Sequence, residues 1–152
     1  MGTALIAVIG TLLGSVATHF FQRQTAERAA ALTRAEQLRQ ERISTYSAFA
    51  GALVDYRRAQ NDRWHRRAEA PDSADARNSR LDSYAQRSAA RQALIRVQLI
   101  CADSQVVQLA LTAFDFVHCM HEATDASERA RRSAEADDAL ARFIEAAAPS
   151  VR

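Results

Sequence analysis

The chain has 152 residues, 25% of them charged, and a formal net charge of +2. That length leaves room for one packed domain beyond any membrane segment, and so small a charge argues against an electrostatic nucleic-acid binder. Two cysteines, Cys101 and Cys119, do not make a disulfide framework; both sit among apolar residues, where a free thiol packs as a small hydrophobe, and they favour a reducing compartment.

Only four glycines and two prolines interrupt a chain rich in Ala, Arg, Glu, Gln and Leu, so the fold class is expected to be all-α. Every one of the 20 basic residues is Arg, which reads as GC-rich codon usage before it reads as chemistry.

Residues 2–21 carry no full charge and read GTALIAVIGTLLGSVATHFF. About 20 apolar residues rising 1.5 Å each in a helix are enough to cross a ~30 Å hydrocarbon core, so residues 1–22 are expected to form a single-pass transmembrane anchor. Ser15-Val16-Ala17 has the small-x-small look of a signal-peptidase site, but no positive residue precedes the apolar run, and Phe20 and Phe21 continue it beyond. Arg23, Arg28, Arg34, Arg39 and Arg42 follow the span closely while the N-terminal tail has none. The positive-inside rule then places the N-terminus outside and the body in the cytoplasm. Thr3, Ala7, Gly10, Gly14 and Ala17 recur at alternating spacings of four and three, and Gly10 to Gly14 is a GxxxG. Small side chains let helix backbones approach closely in lipid, so Ala7, Gly10, Gly14 and Ala17 are the expected packing face of a homo-oligomer.

No Pro and only Gly51 interrupt the residues from Gln22 to Glu69, so the membrane helix is expected to continue as one long helix. Residues 23–42 hold few large apolar side chains and form a helical stalk, with Arg23 and Glu27 spaced for an ion pair. From 43 onward Ile43, Tyr46, Phe49, Ala50, Leu53 and Tyr56 recur at threes and fours, which marks the first core-facing stripe of a bundle over 43–152. The helix should end near Pro71, with Asp72, Ser73 and Asp75 as turn and cap formers.

A second helix is expected from about Ala76 to Cys101, with Leu81, Tyr84, Ser88, Gln92, Ile95 and Leu99 on a coiled-coil-like heptad stripe broadened by Leu94 and Val97. Asp103 and Ser104 offer a cap for a third helix carrying Val106, Val107, Ala110, Ala113, Phe114 and Val117. A fourth runs from about Ala126 to Ala148, with Ala130, Ala134, Leu140, Phe143 and Ile144 expected inside and Pro149 stopping it. Short connections favour antiparallel neighbours, hence an up-and-down antiparallel cytoplasmic helical bundle.

The strings AVIGTLLGSVATHFFQRQTAER, YSAFAGALVDYRR and LIRVQLICADSQVVQLA resemble a group of actinobacterial proteins with an N-terminal membrane helix and a helical cytoplasmic body. The resemblance covers nearly the whole chain and implies that architecture; it implies no activity, because the shared features are helical patterns and not site motifs.

Two clusters carry candidate chemistry. His118, His121 and Glu122 lie at i, i+3 and i+4, so one helical face presents imidazole and carboxylate groups that suit zinc or iron. The competing reading is a polar helix end where His complements the dipole, and no HExxH or second-helix ligand pair supports a metal site. No cofactor is implied. Arg57, Arg58, Arg63, Trp64, Arg66 and Arg67 form the densest basic patch, read either as a surface for a protein partner or as ordinary surface Arg with Trp64 packed on the bundle end. No phosphate loop or nucleophile triad is present, so no enzyme is expected. The preferred reading is a membrane-anchored helical interaction or scaffold module; the alternatives are a metal-binding sensor or enzyme using His118, His121 and Glu122, and a nucleic-acid-binding protein.

Overall fold

A computed structural model describes the backbone of residues 2–152 and the side chains of residues 22, 23 and 26–152. Four α-helices follow one another: α1 (Gly2–Glu69), α2 (Ala74–Ile100), α3 (Ser104–Cys119) and α4 (Ala126–Ala147), with 3₁₀ turns at Met120–Glu122 and Ala148–Val151. The expected transmembrane span and its stripe of Ala7, Gly10, Gly14 and Ala17 lie outside the residues whose side chains are described. Among the described residues no helix is long and apolar enough to cross a membrane.

The chain divides into two compact units, Met1–Leu38 and Arg39–Arg152. In the first, Arg23 pairs with Glu27 at 3.3 Å, and Leu32 is largely exposed. In the second, the helix ends are set by local chemistry that the residue types dictate. Pro71 excludes a helical Ala70, and Ser73 begins α2 by accepting a hydrogen bond from the Ala76 amide at 3.0 Å. Asp103 caps α3 through the Gln105 amide at 2.8 Å, and Asp125 caps α4 through the Glu128 amide at 2.8 Å.

The core of this unit draws on all four helices. Tyr46, Phe49, Leu53 and Tyr56 of α1 are buried against Leu94 and Val97 of α2, Val106, Phe114 and Val117 of α3, and Phe143 of α4. Phe143 meets Tyr46 and Phe49 edge-on, with centroids 5.9 and 5.1 Å apart, an arrangement favoured by the ring quadrupoles. Going up α1 from Tyr46 to Arg57 to Asn61, the partners go down α4 from Phe143 to Ser133 to Arg129, so these two helices are antiparallel. Tyr56, Gln60 and Trp64 meet Phe114, His118 and Ala123 in ascending order, so α1 and α3 run the same way. Both directions are those of an up-and-down bundle.

Two expected faces are corrected. On α2 the inward residues are Ala76, Ser79, Ser83, Ala90, Leu94 and Val97, whereas Leu81, Tyr84, Ile95 and Leu99 are 62%, 49%, 45% and 82% exposed. The helix has two apolar faces, and the one with small side chains turns inward because it lets α2 lie close to its neighbours. On α4 the buried stripe is Ala136, Ala139, Phe143 and Ala147; Ala130 and Ala134 face solvent, and Ile144 is 49% exposed. Alanine occurs on every side of α4, so its positions carry little periodic signal.

Candidate functional site

The polar residues singled out in the sequence converge at one place, the C-terminal end of α3. A helix end leaves its last carbonyls without intrahelical partners, and here side chains from other elements supply them. The Gln60 side-chain amide nitrogen donates one hydrogen to the His118 carbonyl oxygen at 3.0 Å, with the Val117 carbonyl oxygen sharing that hydrogen at 3.4 Å. The Trp64 indole N–H donates to the Ala123 carbonyl at 2.9 Å, and Arg132 of α4 donates to the Cys119 carbonyl. His121 Nδ1 donates back to the His118 carbonyl at 2.7 Å, an acceptor-only partner that fixes the proton on Nδ1.

A second chain of bonds fixes the other ring. Gln60 Nε2 donates to the Tyr56 hydroxyl at 3.2 Å, and that hydroxyl lies 2.9 Å from His118 Nδ1. The Tyr56 oxygen accepts from Gln60 and its proton goes to His118, which places the His118 proton on Nε2. Burial, reinforced by the Arg87 charge, holds the His118 pKa below its ordinary value. Burial lowers His121 as well and pushes Tyr56 up to about 12. All three groups are therefore neutral at pH 7, as an interior network requires.

His118 Nδ1 and His121 Nδ1 bond Tyr56 and the backbone, and Glu122 lies 3.4 Å from Arg132. Among the described residues no group of three or more His, Cys, Asp or Glu is placed to hold a metal ion.

The basic patch is likewise divided among internal partners. Arg57 pairs with Asp137 at 2.7 Å, Arg63 lies over the Tyr84 ring 5.4 Å from its centroid, and Arg66 lies 3.5 Å from Asp62. Trp64 is half-buried, with Arg129 over its ring at 5.5 Å. Arg58 and Arg67 are exposed and form no ion pair among the described residues.

A groove of about 420 Å³ opens between α3 and α4, lined by Thr112, Asp115, Phe116, Cys119, Arg131, Arg132 and Glu135. Arg131 pairs with Glu135 at 2.6 Å and Arg132 with Glu128 at 2.8 Å, so its cations are neutralised. Burial raises the Cys119 thiol, which keeps it protonated and a poor nucleophile. Sequence reasoning missed Gln60 and Arg132. Gln60 had a readable signal: an amide four residues after Tyr56, on the apolar face of α1.

The described core coincides with what known proteins match. Residues 43–151 match the family described as KilB plasmid transfer protein. Protein KilB of Streptomyces lividans is 36% identical over 102 residues, 66% of this chain and 65% of that relative, so the chain spans less than two thirds of its length. No solved structure matches the chain.

Proposed function

The chain belongs to the KilB plasmid transfer protein family, and from that premise we propose that it is a membrane-anchored helical interaction module serving plasmid transfer. The observation that carries the reading is the extent of the family match, residues 43–151, which is the bundle and not the apolar N-terminal run. The polar side chains at the end of α3 are spent on holding helices together, which favours a scaffold over an enzyme. The uncharged run at 2–21 followed by five Arg supports an anchor with its body in the cytoplasm.

The test is fractionation and protease accessibility of the full-length chain tagged at its C-terminus, beside a variant lacking residues 2–21. The full chain is expected in the membrane fraction with its tag protected in intact cells, and the truncated chain in the soluble fraction with plasmid transfer reduced. A truncated chain that stays in the membrane, or supports undiminished transfer, overturns the reading.

A further inference from the structure

The exposed face of α2 is a regular seam. Leu81, Ala85, Ser88, Gln92, Ile95 and Leu99 recur at four, three, four, three and four residues, the spacing of a heptad core, and they lie opposite the face that α2 turns inward. Leu81 and Leu99, at its two ends, are its most exposed large side chains. Three large apolar side chains, Leu81, Ile95 and Leu99, stand exposed on this stripe at heptad positions, with Ala85, Ser88 and Gln92 between them, a pattern that suits a helix that pairs.

We propose that this face of α2 pairs, antiparallel and about a two-fold axis near residue 90, with α2 of a second copy of this chain. A two-fold contact must be self-complementary, and the seam meets that condition position by position. Antiparallel pairing sets Leu81 against the second copy's Leu99, and bulky Ile95 against small Ala85. It sets Ser88 against Gln92, where hydroxyl and amide can hydrogen-bond. On the flank, exposed Asp82 meets exposed Arg96 of the other copy, twice per dimer. Arg91 falls near the axis, but its guanidinium is drawn aside over the Phe114 ring, 5.8 Å from the centroid. Parallel pairing is poorer at two places: Ala85 would face Ala85 across a gap, and Arg91 would face Arg96. The seam is about 27 Å long, which is small for a stable dimer, so the pairing is concentration-dependent and not obligate. This surface is separate from the small-residue stripe of the N-terminal segment and from the reading of function above.

Cysteine crosslinking of the full-length chain in detergent tests the proposal, in a Cys101→Ser, Cys119→Ala background. Differently tagged Leu81→Cys and Leu99→Cys chains, mixed and oxidised, are expected to form the mixed dimer well above the level of an Asp138→Cys collision control on α4. Leu81→Cys alone should not exceed that control. In sedimentation, Asp82→Arg should weaken self-association roughly tenfold, and Asp82→Arg combined with Arg96→Asp should restore it. Preferential Leu81-to-Leu81 crosslinks, crosslinks no better than the control, or failure of the charge swap to rescue would each overturn the proposal. So would a face that captures a different protein while the purified chain shows no seam crosslinks at any concentration.

Discussion

Gln60 is the residue on which the α3 terminus depends most. It is 1% exposed and its amide nitrogen reaches two backbone carbonyls and the Tyr56 hydroxyl. Replacing it with Leu keeps the volume but takes the donor from the Tyr56 hydroxyl oxygen and one of two donors from each carbonyl, since His121 Nδ1 still reaches the His118 oxygen and the Met120 amide the Val117 oxygen; an unsatisfied buried polar group costs about 1–3 kcal/mol. Gln60→Leu is therefore expected to lose about 1–2 kcal/mol in urea unfolding of the full-length chain, followed by circular dichroism. Arg67→Ala, at an exposed position with no ion pair among the described residues, should stay within about 0.5 kcal/mol of the parent. If the two variants unfold alike, the α3 clasp contributes nothing specific.

At the scale of the helices, what was legible in the sequence depended on whether each helix has one apolar face or two. The α1 stripe of Tyr46, Phe49, Leu53 and Tyr56 was readable because polar residues fill its other side, and the caps at Ser73 and Asp103 were readable because cap chemistry is local. The α2 face was misread because its large residues formed the cleaner heptad, while packing selected the small ones. The site was legible in its residue types but not in its purpose: His118 meets the Tyr56 hydroxyl, His121 the His118 carbonyl and Trp64 the Ala123 carbonyl, pairings that no linear spacing displays. The corrected register makes a sharp expectation. Leu94→Ala, at a fully buried position, should cost about 2–5 kcal/mol. Leu99→Ser should change the intrinsic stability of the fold by less than about 0.5 kcal/mol, measured under dilute, monomeric conditions. Gly51 adds a test of the opposite sign. It sits inside α1 with nothing within 4 Å of where a Cβ would be, so Gly51→Ala should raise stability by about 0.5–1 kcal/mol through lower backbone entropy in the unfolded chain.

The stability of the whole molecule should carry two acid-side steps, each traceable to a named group. His118 and His121 are held neutral by burial, with folded pKa values below the ordinary 6.5. As pH falls below 6.5 the unfolded chain takes up these protons before the folded one does, so their contribution is whole above that pH and declines toward the lowered folded values. Glu128 acts further down the scale. Its carboxylate accepts from the Thr124 amide at 2.9 Å and the Thr124 hydroxyl at 2.8 Å and pairs with Arg132, which together lower its pKa from 4.5 to about 2. Its contribution is present above 4.5 and is lost as pH falls toward about 2, when protonation releases both Thr124 and Arg132. Because Arg132 also donates to the Cys119 carbonyl, that second step loosens the α3 terminus as well as the start of α4. Thermal unfolding of the full-length chain should thus show a plateau above pH 7, a decline that sets in below pH 6.5, and a further fall below pH 4.5. His118→Gln combined with His121→Gln should flatten the first decline and leave the second, while Glu128→Gln should flatten part of the second and leave the first. A single decline, unchanged in all variants, would mean that the clasp at the end of α3 does not set the acid stability of the bundle.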